Sequence, residues 1–162
     1  MTNEKIKNSN VLEFVVFCIE NVAAKLDVGT ERIYQAFTEK SDILNGYIVP
    51  EYEVLHTQSR EYIVNDLLDV MKERNMEVSV FISKTHMEKT SDMTANPILL
   101  QKKYSRVIEC FAKQQRLSLD AALDFFYHSQ VYQLMRDGVS DMHCMSDAYL
   151  AEELRLEYQE KK

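Results

Sequence analysis

The segment DMHCMSD (141–147) sets His143 beside Cys144, with Asp141 and Asp147 on either side. Imidazole, thiolate and carboxylate are zinc ligands, and a zinc site needs three or four of them converging on one point. A cysteine and a histidine can also form a nucleophile and its base, but the two must then meet across a fold. Side chains adjacent in sequence rarely point at each other. A second histidine, His56, stands in VLHTQSREY (54–62), where Val54, Thr57 and Arg60 fall at the positions of Asp141, Cys144 and Asp147. Only the histidine is common to both segments. The expected role is therefore structural, with no catalytic residue, no metal and no cofactor assigned.

The elements that follow the histidines suggest what that role is. Helices are expected from about Ser59 to Arg74 and from about Ser146 to Glu160, with Ser59 and Ser146 as N-caps. Glu61 and Asp147 place negative charge in the first turns, where the helix dipole favours it. Ile63, Val64, Leu67 and Met71 make one apolar face; Leu150, Ala151, Leu154 and Tyr158 make the corresponding one. His56 and His143 then stand three residues ahead of a cap. An imidazole there can donate to a loop carbonyl and pack its ring at the helix entrance.

The two closing segments, 54–71 and 141–158, align without a gap at an offset of 87. Upstream, Ile19-Glu20 falls on Ile108-Glu109, Ala23 on Ala112 and Phe37 on Phe126, at an offset of 89. The difference is a loop two residues shorter, and loops tolerate such changes. Each half begins with a core-facing stripe: Val15, Ile19, Val22, Ala23 and Leu26, or Tyr104, Ile108, Phe111 and Ala112. Asn96-Pro97 is a suitable start for the second of these helices. A turn, a short helix ending near Phe37 or Phe126, and an irregular stretch come next, before the closing helix. The expected fold is all-α: two small helical units of similar plan, an internal duplication. The first spans 9–76 and the second 96–162. A linker, 77–95, joins them, with a possible short strand at VSVFI (78–82).

Composition agrees. Three glycines and two prolines in 162 residues are too few for the turns of a sandwich or barrel. Up to Thr94 there are 10 basic against 16 acidic residues, and from Ala95 onward 9 against 10, for a net charge of −7. Neither half is basic, so nucleic acid and anionic membrane both lack their electrostatic footprint. Cys18, Cys110 and Cys144 are odd in number and widely spaced, which suits reduced thiols in a cytoplasmic protein. The opening MTNEKIKNSN is too polar for a signal-peptide core, and the apolar block from Val11 to Ile19 is too short to span a bilayer.

What remains is surface chemistry. His128 sits at a helix end, where a cation suits the dipole. Phe125, Phe126, Tyr127 and Tyr132 are most simply core, although a partner groove would use the same residue types. Methionine is common on adaptable binding surfaces, and Met135, Met142 and Met145 cluster nearby. Units of this size leave apolar side chains that are hard to bury. Phe126, Tyr127, Tyr132, Met135 and Met142 are accordingly the expected partner-binding positions of a non-enzymatic interaction protein. The alternative is a helix–turn–helix regulator built on AKLDVGTERIYQAF, whose second helix offers only Arg32 as a reader of phosphate or base.

The stretch FVVFCIENVAAKL…GYIVPEYEVLHTQSREYIVNDLLDVM resembles a family of small bacterial proteins of unknown function, marked by a closing segment of the form LHTQ-x-x-EYIV-x-D. That segment stands here at Leu55–Asp66. The second half, closing on DMHCMSDAYLAEEL, is similar to a related small family. Together the resemblances cover most of the chain. Such families carry no established activity, so no catalytic residue is implied. Members are often encoded beside ADP-ribosyltransferase-like proteins in toxin–antitoxin arrangements. The resemblance thus implies an antitoxin-like neutraliser whose partner is the product of a neighbouring gene. This chain departs from the pattern by carrying both kinds of unit.

Overall fold

With few chain-breaking residues, these periodic sequences can satisfy their own backbone N–H and C=O groups as helices. In the computed structural model every regular element among the described residues is helical. The structure describes Ile6 and residues 8–74, 97–137 and 145–160. Its contacts divide the chain into two compact units, one Phe14–Thr90 and the other Met1–Glu13 with Ser91–Lys162. The linker expected at 77–95 and its short strand lie outside the described residues.

Helix α1 (Ser9–Leu26) enters the unit of Phe14–Thr90, which continues with α2 (Thr30–Thr38), a π-helical turn (Leu44–Ile48), α3 (Tyr52–Leu55) and α4 (Arg60–Glu73). Val15, Ile19 and Val22 of α1, Ile33 and Phe37 of α2, and Ile63, Leu67 and Met71 of α4 are buried. Cys18 lies among them, and burial pushes its thiol well above the usual range. Only a thiolate attacks alkylating reagents. Cys18 should therefore stay unmodified by iodoacetamide in the native protein and react fully in denaturant, as peptide mass mapping would show.

The other unit contains α5 (Pro97–Gln115), α6 (Leu119–Tyr127), α7 (Gln130–Asp137) and α8 (Asp147–Glu160), with α5 packed against both α6 and α8. Its core is aromatic. Tyr132 lies 5.2 Å from Tyr104, 5.1 Å from Phe126 and 4.9 Å from Tyr127 between ring centroids. A second cluster joins Phe111, Phe125 and Tyr158. Ahead of α1, Ile6 is buried in this unit and donates its N–H to Asp120 Oδ1 at 3.0 Å.

The two units end their first long helices alike. Asp27 and Arg116, both at φ 59°, take the left-handed conformation after α1 and α5. Val28 N–H then donates to Ala23 O at 3.1 Å, and Leu117 N–H to Ala112 O at 2.9 Å, the longer closing bond of a Schellman motif. These positions are 89 residues apart, the offset at which the sequences of the first helices align. Glycine adopts that conformation without a Cβ penalty. Arg116→Gly is expected to raise stability by up to about 1 kcal/mol, measurable by urea denaturation.

The stretches expected to be irregular are mostly helical. Residues 44–48 form the π-helical turn, 52–55 form α3, and 130–137 form α7. Helix α7 is short, and its start is held both by the preceding serine and from α8. Ser129 Oγ accepts from Tyr132 N–H at 3.1 Å, while the Glu157 carboxylate of α8 accepts from Gln130 N–H at 2.8 Å. Val131, Tyr132 and Met135 then bury one face. An acid supplied by a later helix is not visible in the local pattern.

Candidate functional site

In the unit of Phe14–Thr90 the polar groups gather around the approach to α4. Tyr52 of α3 packs edge-on against Phe14, with centroids 5.5 Å apart, and stacks on His56 at 4.4 Å. His56 Nδ1 lies 2.7 Å from Tyr52 O, the geometry of an imidazole donating to a carbonyl one turn back. Thr57 Oγ1 donates to Val54 O at 2.8 Å, and Ser59 Oγ accepts from Tyr62 N–H at 3.1 Å. Every step of this corner is satisfied locally. His56 itself is exposed and serves the turn.

One long-range polar contact ties the corner to the π-helical turn. Tyr47 Oη donates to Asp66 Oδ2 at 2.5 Å. Burial pushes the Tyr47 phenol up first, and the hydrogen bond to Asp66 and the charges of Asp66 and Glu51 push it further. It remains a neutral donor under ordinary conditions. A Cβ at Gly46, beside it, would meet the exposed Asp42 carboxylate, which would have to turn aside. The Asn45 Oδ1 of the same turn is buried without a hydrogen-bond partner.

The start of α8 uses the same cap with different charges. Ser146 Oγ accepts from Tyr149 N–H at 3.1 Å. Asp147 meets Lys103 Nζ at 2.9 Å and Arg106 Nε at 2.8 Å, both from α5. Burial raises the Asp147 carboxyl, but the hydrogen bonds and charges of Lys103 and Arg106 outweigh it and hold the group below its usual range. A depressed carboxyl contributes stability above its unfolded pKa of about 3.9, and that contribution is lost as pH falls through the lower folded value. Asp147→Asn should cost about 1 kcal/mol at neutral pH and make stability less sensitive to pH below about 4. Urea titrations at several pH values read both effects.

The expected partner positions among the described residues are not on the surface. Phe126, Tyr127, Tyr132 and Met135 are all buried, interlocked between α5, α6 and α7. The apolar surface expected there is thus corrected to core: α7 folds over the short helix and covers it. Met142, His143 and Cys144 lie outside the described residues. His128 follows α6 and its Nδ1 lies 2.8 Å from Asp124 O.

The exposed large apolar side chains fall elsewhere. Val54 is 59% exposed and Tyr62 52%, while Tyr149 is 45% and Leu156 44% exposed. Tyr62 and Tyr149 occupy the same place, three residues after the capping serine of α4 and α8. The signal lies in the helical period: each tyrosine precedes the buried stripe by one position and so faces away from it. Among the described residues, no group of three or more His, Cys, Asp and Glu side chains could hold a metal ion. None of the described helices is long and apolar enough to cross a membrane.

The described residues form two helical units with capped closing helices, and among them no metal-ligating group comes together. Residues 13–74 match the family described as protein of unknown function (DUF3791). The match covers α1 nearly from its start through the end of α4. Neither the curated proteins nor the solved structures include a significant match.

Proposed function

We propose that this chain is a non-catalytic protein-interaction module of the cytoplasm, an antitoxin-like neutraliser of an ADP-ribosyltransferase-like partner encoded beside it. The observation that carries the reading is the pair of half-exposed tyrosines, Tyr62 and Tyr149, at the same capped position of two closing helices. Folding leaves these rings about half in water, and tyrosine is among the residue types that dominate protein interfaces. Further support comes from the match of residues 13–74 to a family without an assigned activity. We also read the two units as an internal duplication. Favouring this are the helix ends at Asp27 and Arg116, 89 residues apart, and the caps at Ser59 and Ser146, 87 apart.

The test is co-expression with the neighbouring gene product, followed by size-exclusion chromatography and a growth assay. A co-eluting complex together with relief of toxicity is the expected result. Absence of a complex, with the neighbour's toxicity unchanged, would sink the neutraliser reading.

A further inference from the structure

Helix α4 buries Ile63, Val64, Leu67, Val70 and Met71 on one face. A stripe flanking it runs through Tyr62, Asp66, Asp69 and Glu73, at i, i+4, i+7 and i+11, with Asn65 and Lys72 farther round the helix. Helix α8 repeats the spacing with Tyr149, Glu153, Leu156 and Glu160, again away from its buried Leu150, Ala151 and Leu154. Both stripes begin with an exposed tyrosine whose backbone N–H is fixed by a capping serine. No aromatic stacking engages either ring among the described residues. Neither stripe contains a lysine or arginine; every charged position on it is acidic.

Resting on the protein-binding reading above, we propose that each of these helix faces is by itself a contact surface for a basic, lysine- or arginine-bearing segment of a partner protein. Charge complementarity decides the occupant. An acidic or neutral segment would meet three carboxylates along α4, whereas a basic one is steered toward them and paired. The tyrosine at the head of each stripe supplies what charge alone does not: a flat π-face on which a guanidinium or ammonium can rest. Asp66 already holds Tyr47 through one oxygen, so its carboxylate is positioned before a ligand arrives. A second copy of this chain, itself acidic overall, would meet like charge on α4 and is disfavoured.

The experiment titrates the isotopically labelled full chain with a peptide alternating arginine, lysine and leucine, and with a glutamate counterpart, followed by amide NMR. Expected are shift changes concentrated on residues 60–73 and 147–160, with no binding of the glutamate peptide. Tyr62→Ala with Tyr149→Ala should weaken the basic peptide at least about fivefold. Asp69→Lys with Glu73→Lys should weaken it about tenfold and flatten its salt dependence. Asp69 and Glu73 are exposed and the tyrosines half-exposed, and a thermal melt of each variant checks the fold. Shifts spread evenly over the acidic surface, or unchanged affinity in the tyrosine double variant, would overturn the proposal. The co-expressed complex separates the two readings. A complex indifferent to these substitutions removes the surface but leaves protein binding standing. Localised peptide binding without a neighbouring partner does the reverse.

Discussion

Phe126→Ala is expected to cost about 3–5 kcal/mol, enough to threaten the fold of the α5–α8 unit. Phe126 is fully buried between Tyr104, Tyr127 and Tyr132, with ring centroids 5.1–5.6 Å away. Truncation removes the ring's own burial and leaves a cavity that three large neighbours can fill only by moving together. Denaturant unfolding followed by far-UV circular dichroism reads the loss. The same packing governs what a charge would do at Tyr132 or Met135. Both residues are buried, so a charge placed there should unfold the unit before it reports on any partner. A folded Phe126→Ala protein of undiminished stability would contradict this core.

The second large effect concerns Asp66. Asp66→Ala should cost about 1–3 kcal/mol, because it leaves the half-buried Tyr47 hydroxyl without its acceptor. The turn that carries Tyr47 also holds the unpartnered Asn45 Oδ1. Tyr47→Phe removes donor and demand together and should cost less than Asp66→Ala. The two changes should therefore be non-additive in a double-mutant cycle. Alkaline pH gives an independent reading. The Tyr47 phenol is raised in the folded state, so its contribution is fully present below the unfolded pKa of about 10 and is lost as pH rises toward the folded value. Tyr47→Phe should flatten that alkaline decline. Stability measured from pH 8 upward would show it, and an unchanged slope would remove Tyr47 from the account.

Residues that act within one turn are legible in the amino-acid sequence alone. Ser59 reaches a backbone N–H three residues away, and Ser146 does the same. The polar demand of the first helical turn falls on neighbours in the chain, so residue type and position are sufficient. The stripes of α1, α4, α5 and α8 are legible for a related reason: the period of apolar residues is a property of each helix alone. The short segments are not. Helix α7 is only eight residues long, and although Ser129 caps it locally, the carboxylate that takes its first two N–H groups stands 26–27 positions later, outside any local window. The π-helical turn is likewise held by Asp66, 19 residues on from Tyr47.

The sequence by itself therefore determined an all-helical chain with capped closing helices, because hydrogen bonding and periodicity are settled over a few residues. That the aromatic side chains around the short helices would be wholly hidden was decided only by the tertiary structure. Phe126, Tyr127 and Tyr132 and the exposed Tyr62 and Tyr149 are chemically similar, and each sits on or beside an amphipathic helix. Their fates differ because burial is the removal of surface by whatever packs against it. For Phe126 and Tyr132 that covering comes from Tyr104, more than twenty residues away in the chain. Tyr62 and Tyr149 receive no such cover, and they stay on the surface.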